Sequence, residues 1–305
     1  MSYHLHADEG LQAGIRRIAH SELDESIREI DDHELARHET VHQVRKRCKK
    51  LRGLVRLVRP AMEQVYHAEN KALRDAARNL SDIRDAKSII STYDNVMHLF
   101  ADQVNEKRFA SIRRELTARL SAIKDALLDE QLLVMRQQLV ALKTRVKDWS
   151  FDDETFEPAC VGLTEIRLQA VKALQEAKKN PTTIRLHELR KRVKYHSYHL
   201  QVLCGLWPEG ICPLINESGQ LGDDLGNDHD LAVFGGTILE SPDQFGSPND
   251  VRMLQSLISQ HREVLQKASF SRAAYFFAED SGAFTRRLES YWNLWWVGSD
   301  CPPHT

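Results

Sequence analysis

The sequence predicts an all-α fold that arose by internal duplication. Gly and Pro are sparse, at 14 and 9 of 305 residues, while Leu, Ala, Arg and Glu are abundant, a balance that favours helices. Apolar residues recur at helical spacing through most of the chain. Two separated motifs each occur twice, both at an offset of 145 positions, which is the signature of a repeated unit.

The periodicity gives helices near 8–35, 37–59, 61–79, 81–101, 104–126 and 129–149. Further helices follow near 156–179, 182–205, 210–222, 226–240, 249–267 and 271–297. Pro60 ends the second, because proline removes a helical hydrogen bond and clashes with the preceding turn. Ser81 is the expected N-cap of the fourth. The stretch WSFDDETFEP (149–158) breaks the periodicity, and its acids and Pro158 suit a linker into a new helix N-terminus. The chain is therefore divided into residues 1–150 and 151–305, each long enough for its own core. Pro181, Pro208, Pro242 and Pro248 punctuate the second half, where SPDQFGSPND (241–250) is a loop.

The first repeated motif is VHQVRKRCKK (41–50) against LHELRKRVKY (186–195). His42 pairs with His187, Arg45 with Arg190, Lys46 with Lys191 and Lys49 with Lys194. The second is NLSDIRDAKSI (79–89) against DLGNDHDLAVF (224–234), in which Leu80 pairs with Leu225 and Asp85 with Asp230. The separation from His to the later Asp is 43 in both halves.

Charge is segregated although the total is only −2. Residues 21–39 carry eight acids and two Lys or Arg, whereas residues 41–59 carry eight Lys or Arg and no acid. On a helix His42, Arg45, Lys46, Lys49, Arg52, Arg56 and Arg59 share one broad side, and Val44, Cys48, Leu51, Val55 and Val58 share the other. In the second half His187, Arg190, Lys191 and Lys194 form the basic side, with Ser197 and Gln201 in place of Arg52 and Arg56. Like charges one turn apart repel, so such a face calls for an anion. Two facing copies would line a groove or pore for a long, closely charged polyanion, with Arg forks and Lys point charges on its phosphate oxygens.

The remaining residues narrow the alternatives. Five scattered cysteines (Cys48, Cys160, Cys204, Cys212, Cys301) form no CxxC pair and fit a reducing cytoplasm with buried or inert thiols. MSYHLHADEG lacks the basic and apolar regions of a secretory signal, and no apolar run reaches membrane-spanning length. No HExxH, Walker loop or acidic metal cluster is present, so no metal or cofactor is expected. Asp82, Asp85 and Asp230 could serve as catalytic carboxylates, but orienting Arg and His side chains or capping a helix is the simpler role. Trp292, Trp295 and Trp296 share a helix face and read as a core or interface stripe. An enzyme acting on phosphoanhydrides and a nucleic-acid-binding protein remain the alternative readings. The first would need a metal or a poised nucleophile, and the near-neutral total charge disfavours the second.

A His-x-x-Arg-Lys-x-x-Lys helix followed by a Leu-x-x-x-Arg-Asp helix, both duplicated, resembles the CHAD family over roughly residues 8–297. The resemblance implies two pseudo-symmetric helical bundles around a basic central cavity. It further implies non-catalytic binding of inorganic polyphosphate, often on polyphosphate granules. Carried over by position, the binding face is His42, Arg45, Lys46, Lys49, Arg52 and Arg56, with His187, Arg190, Lys191 and Lys194; Arg84 is a second-tier candidate. His229 stands where the second copy should have Arg. The chain lacks the ExExK strand of the triphosphate-tunnel (CYTH) domain to which some relatives are fused, which argues against catalysis.

Overall fold

The structure is a computed structural model that describes residues 3–104, 106–122, 125–151 and 155–299, without the side chains of 81–85, 106–107, 125–126 and 297–299. Cys301 therefore lies outside the described residues. Among the described residues there are eleven α-helices and no strand. They are α1 (Leu11–Asp31), α2 (Arg37–Leu57), α3 (Glu63–Arg78), α4 (Ser81–Leu99), α5 (Ala110–Ser121) and α6 (Asp125–Val146), then α7 (Glu157–Lys179), α8 (Thr183–Leu203), α9 (Pro208–Glu240), α10 (Pro248–Phe276) and α11 (Ser281–Ser299). Among them no helix is long and apolar enough to cross a membrane.

Helices α2 and α8 lie side by side at the centre. Helices α1, α3 and α6 pack around α2, while α7 and α9 pack on α8, and α10 on α9. The largest apolar cluster takes Leu11, Val44, Leu51, Leu139 and Trp149 from before residue 150, and Leu163, Leu200, Ile211 and Trp292 from after it. A second joins α4 and α5 to α9 and α10 through Tyr93, Ile112, Phe234 and Leu254. Trp149 and Phe156 flank the segment between α6 and α7 and are buried, and Arg16 Nε donates to the Trp149 carbonyl at 2.6 Å. Trp292 is buried against Phe156, their rings stacked at 4.7 Å.

Several expected helix limits move, for physical reasons. The helices anticipated at 210–222 and 226–240 are one continuous helix, α9. Gly222 and Gly226 do not break it; they are where it lies against α8. A Cβ on Gly222 would fall 2.8 Å from Lys194 Cε, and one on Gly226 3.4 Å from Arg190 Nε. The break anticipated near 268–270 falls instead at 277–280, because Ser269 is buried in the packed face of α10. Arg167 from α7 closes that C-terminus by donating to the carbonyls of Phe276 (3.3 Å) and Glu279 (3.0 Å). Asp280 then starts α11 by accepting from the backbone N–H groups of Gly282 and Ala283, each at 3.0 Å. Ser81 is the first residue of α4 rather than its cap, the cap position being taken by Leu80.

Candidate functional site

The basic helix α2 is divided among three neighbours. Its Val44, Cys48, Leu51 and Val55 are buried in the core, as an amphipathic helix requires. One flank turns to α1, whose acids lie in the acidic stretch of the sequence. Arg47 Nη2 donates to Glu29 Oε1 at 2.7 Å, Arg47 Nη1 to Glu22 Oε2 at 3.1 Å, and Lys50 Nζ to Glu22 Oε1 at 3.0 Å. The Glu29 carboxylate, as hydrogen-bond acceptor, raises the Arg47 guanidinium further above its ordinary range. These two cations were not among the expected binding residues, and they are neutralised inside the fold.

The other flank faces α8. His42, Arg45, Lys46 and Lys49 from α2 and Arg190, Lys194 and Tyr198 from α8 line a hollow of about 270 Å³ together with Asp223 from α9. Five Lys or Arg side chains thus share its wall with one carboxylate. Arg45 Nη1 donates to the Ala77 carbonyl at the end of α3, which sets the direction of its guanidinium. Lys194 Nζ donates to Asp223 Oδ1 at 2.9 Å, and Lys46 is exposed at the rim. The two helices approach closely at Gly53, where a Cβ would sit 2.8 Å from that of Tyr198. His199 Nε2 meets the Gly53 carbonyl at 3.0 Å, one helical turn from Tyr195.

His42 also lines a neighbouring hollow of about 360 Å³ with His38, Glu39, Lys87, Ser88, Ser91 and Asp230. There Ser88 Oγ donates to Asp230 Oδ2 at 3.3 Å, which gives Asp230 a hydrogen-bonding role. His187 is half-buried, its ring 4.6 Å from that of His229. Burial, followed by the charges of Arg190 and Lys191, holds its imidazole below the ordinary value.

The other expected residues lie apart from the hollow. Arg52 Nε and Arg56 Nη2 both donate to Asn70 Oδ1 at 3.2 Å, Arg56 Nη1 donates to Tyr66 Oη at 2.5 Å, and Arg56 lies over the Tyr195 ring at 4.5 Å. They tie α2 to α3 and α8, and burial, as the largest influence, lowers the pKa of Arg52. Lys191 turns back to Glu188, Nζ to Oε1 2.5 Å. Arg84, with Asp82 and Asp85, has its side chain outside the described residues. Sequence reasoning missed Tyr198 and Asp223. Tyr198 was accessible to it, four residues beyond Lys194 on the same face; Asp223 carries no such signal, being set by how α9 packs. Among the described residues no group of three His, Cys, Asp or Glu is placed to hold a metal.

Comparisons with known proteins agree with this architecture. The crystal structure of the CHAD domain from the plant Ricinus communis superposes with a TM-score of 0.69 at 14% identity, covering 90% of this chain and 94% of that one. PptA from Streptomyces chartreusis gives 0.63 at 13% identity, covering 87% of this chain and 99% of that one. At such identities the likeness is one of fold. Among curated proteins none matches. The CHAD domain profile matches residues 21–239, more than half of the sequence and all of the hollow's lining, and on that ground the chain belongs to the CHAD domain family.

Proposed function

We propose that this protein binds inorganic polyphosphate, without turning it over, in the hollow between α2 and α8. The observation that carries this reading is the convergence of Arg45, Lys46, Lys49, Arg190 and Lys194 on one wall. A chain of phosphates bearing about one charge each meets point charges from Lys and forked donors from Arg. His42 joins the hollow to its neighbour and gives the polyanion a continuing path. Arg52, Arg56, His187 and Lys191 extend the cationic track at lower weight, and Arg84 stays a second-tier candidate on its sequence motif alone. Membership of the CHAD family supports polyphosphate as the anion, and granules in the cytoplasm as the place of action.

The duplication belongs to the same reading, with residues 1–150 and 151–305 as two copies of one helical unit around the cavity. Moved 145 positions along the chain, α1 and α2 fall on 156–176 and 182–202, beside α7 at 157–179 and α8 at 183–203. The two His-x-x-Arg-Lys-x-x-Lys helices are thus equivalent and adjacent.

The test is a titration with long-chain polyphosphate, orthophosphate and duplex DNA at two salt concentrations. Tight, strongly salt-dependent binding of polyphosphate alone is expected, by analogy with counterion release from nucleic acids. Arg45→Ala with Lys49→Ala should weaken it by at least about tenfold and flatten the salt dependence. Binding of DNA equal to that of polyphosphate, or an unchanged salt slope in the double variant, would overturn the reading. Phosphate release in the presence of magnesium or manganese would overturn its non-catalytic part.

A further inference from the structure

Two thiols meet where α8 turns into α9. Cys204 opens the one-turn 3-10 helix at 204–206, and Cys212 lies in the second turn of α9. Their Sγ atoms are 2.9 Å apart. A disulfide holds its sulfurs at about 2.05 Å, so an approach of roughly 1 Å completes the bond. Both cysteines are free, and both side chains are half-buried and therefore open to small reagents. Cys48, by contrast, is fully buried.

The surroundings keep this pair together. Leu206 and Ile211, between the two cysteines, are both buried in the largest core cluster. The backbone N–H groups of Gly210 and Ile211 donate to the Trp207 carbonyl at 3.1 and 3.0 Å. The N-terminal segment covers the turn: Leu5 N–H donates to the Val202 carbonyl at 2.9 Å, and a Cβ on Gly205 would fall 2.4 Å from the Leu5 carbonyl oxygen. The sulfurs are therefore held near one another by the packing of the turn, to which Cys204 itself contributes against the core.

We propose that Cys204 and Cys212 are a redox modification site that forms a reversible intramolecular disulfide by exchange with a low-molecular-weight disulfide. The Cys212 thiolate attacks one sulfur of the small disulfide, forming a mixed disulfide and expelling one small thiolate. The Cys204 thiolate then attacks the Cys212 sulfur and expels the second. Two protein thiols are oxidised, one small disulfide is reduced to two thiols, and the two protons leave with them. Burial first, then the hydrogen bond and charge of Cys212, push the Cys204 thiol up, so the two thiolates form one at a time. Once Cys212 is in the mixed disulfide, its share of that upward push is gone. The product is uncharged, so burial that disfavours the thiolate does not disfavour the disulfide.

The full-length protein incubated with oxidised glutathione, then alkylated and digested without reductant, tests the site. One tryptic peptide, 195–252, carries both cysteines, because no Lys or Arg lies between 194 and 252. It should resist alkylation and be lighter by two hydrogen atoms. Further cleavage after Glu209 should leave the two pieces joined until dithiothreitol is added. Cys204→Ser, checked by circular dichroism to be folded, should stop at a stable glutathione adduct on Cys212. Alkylation of both thiols after oxidation, or stable glutathione adducts on the wild-type pair, would overturn the proposal. So would an unchanged rate of Cys212 adduct accumulation in wild type and Cys204→Ser, since the resolving step would then be missing.

Discussion

Gly53 leaves no room for a side chain where α2 and α8 approach closely. A methyl group there meets Tyr198 Cβ at 2.8 Å, with the Tyr198 ring behind it at 3.0 Å. Gly53→Ala should lower stability by about 1–3 kcal/mol, the usual penalty for overpacking, as read from the urea midpoint; a change too small to measure would mean that Tyr198 swings clear. His187 supplies a prediction about binding. Its imidazole is held below the ordinary 6.5 by burial and by its cationic neighbours. A polyphosphate in the hollow brings the opposite charge and raises that pKa, so binding takes up a proton and tightens as pH falls through the range below 6.5. Calorimetric titrations at one pH in buffers of different ionisation heat should therefore give different apparent enthalpies. Identical enthalpies would place His187 beyond the anion's reach. At this scale the sequence was a good guide where helical phase decides, as for His42, Arg45, Lys46 and Lys49 on one face. It was silent where tertiary packing decides: nothing local marks Asp223 as the partner of Lys194.

Helix α2 shows how a run of like charge is made tolerable. The sequence displays no acids interleaved with its bases, and the compensation comes from the preceding helix. Glu22 is almost wholly buried and accepts from both Arg47 and Lys50. Glu22→Ala should cost about 2–4 kcal/mol, because it leaves two half-buried cations short of a partner, with little effect on anion binding. Arg56→Ala should behave similarly. It loses Tyr66, Asn70 and the Tyr195 face, so its stability loss should exceed its affinity loss, with the reverse order for the exposed Lys46→Ala. Parallel urea melts and polyphosphate titrations of the two variants check this order. The helix period identified α2 and α8 to within a few residues, because their apolar sides are regular and Pro60 and Pro181 bound them. It misplaced the breaks in α9 and α10, because glycine and serine inside a helix look like punctuation until a neighbour is seen to occupy the space they leave.

The core of the molecule encloses two histidines, His196 and His199, that acid would charge. Burial lowers His199 to about 3, and burial followed by the Arg167 charge holds His196 well below its ordinary value. The unfolded chain protonates these histidines near 6.5 and the folded chain resists, so stability should fall as pH drops from about 6.5 toward 3. His199 alone contributes roughly 2–3 kcal/mol of loss by pH 4.5. Urea denaturation at pH 7.5, 5.5 and 4.5 should show that slope, and His199→Gln should flatten it. The all-α class was evident from composition and periodicity, and the family from the two duplicated motifs. The way the largest core draws on residues from both sides of position 150 was not, because a buried leucine carries no mark of its distant partners. The hydrogen bond from Leu5 to Val202 spans 197 positions. A ribosome adding roughly 5–20 residues per second reaches Val202 about 10–40 s after Leu5. Throughout that interval the first helices leave the exit tunnel without α8, against which α2 packs in the finished fold. The nascent chain is then most open to chaperone capture or to aggregation.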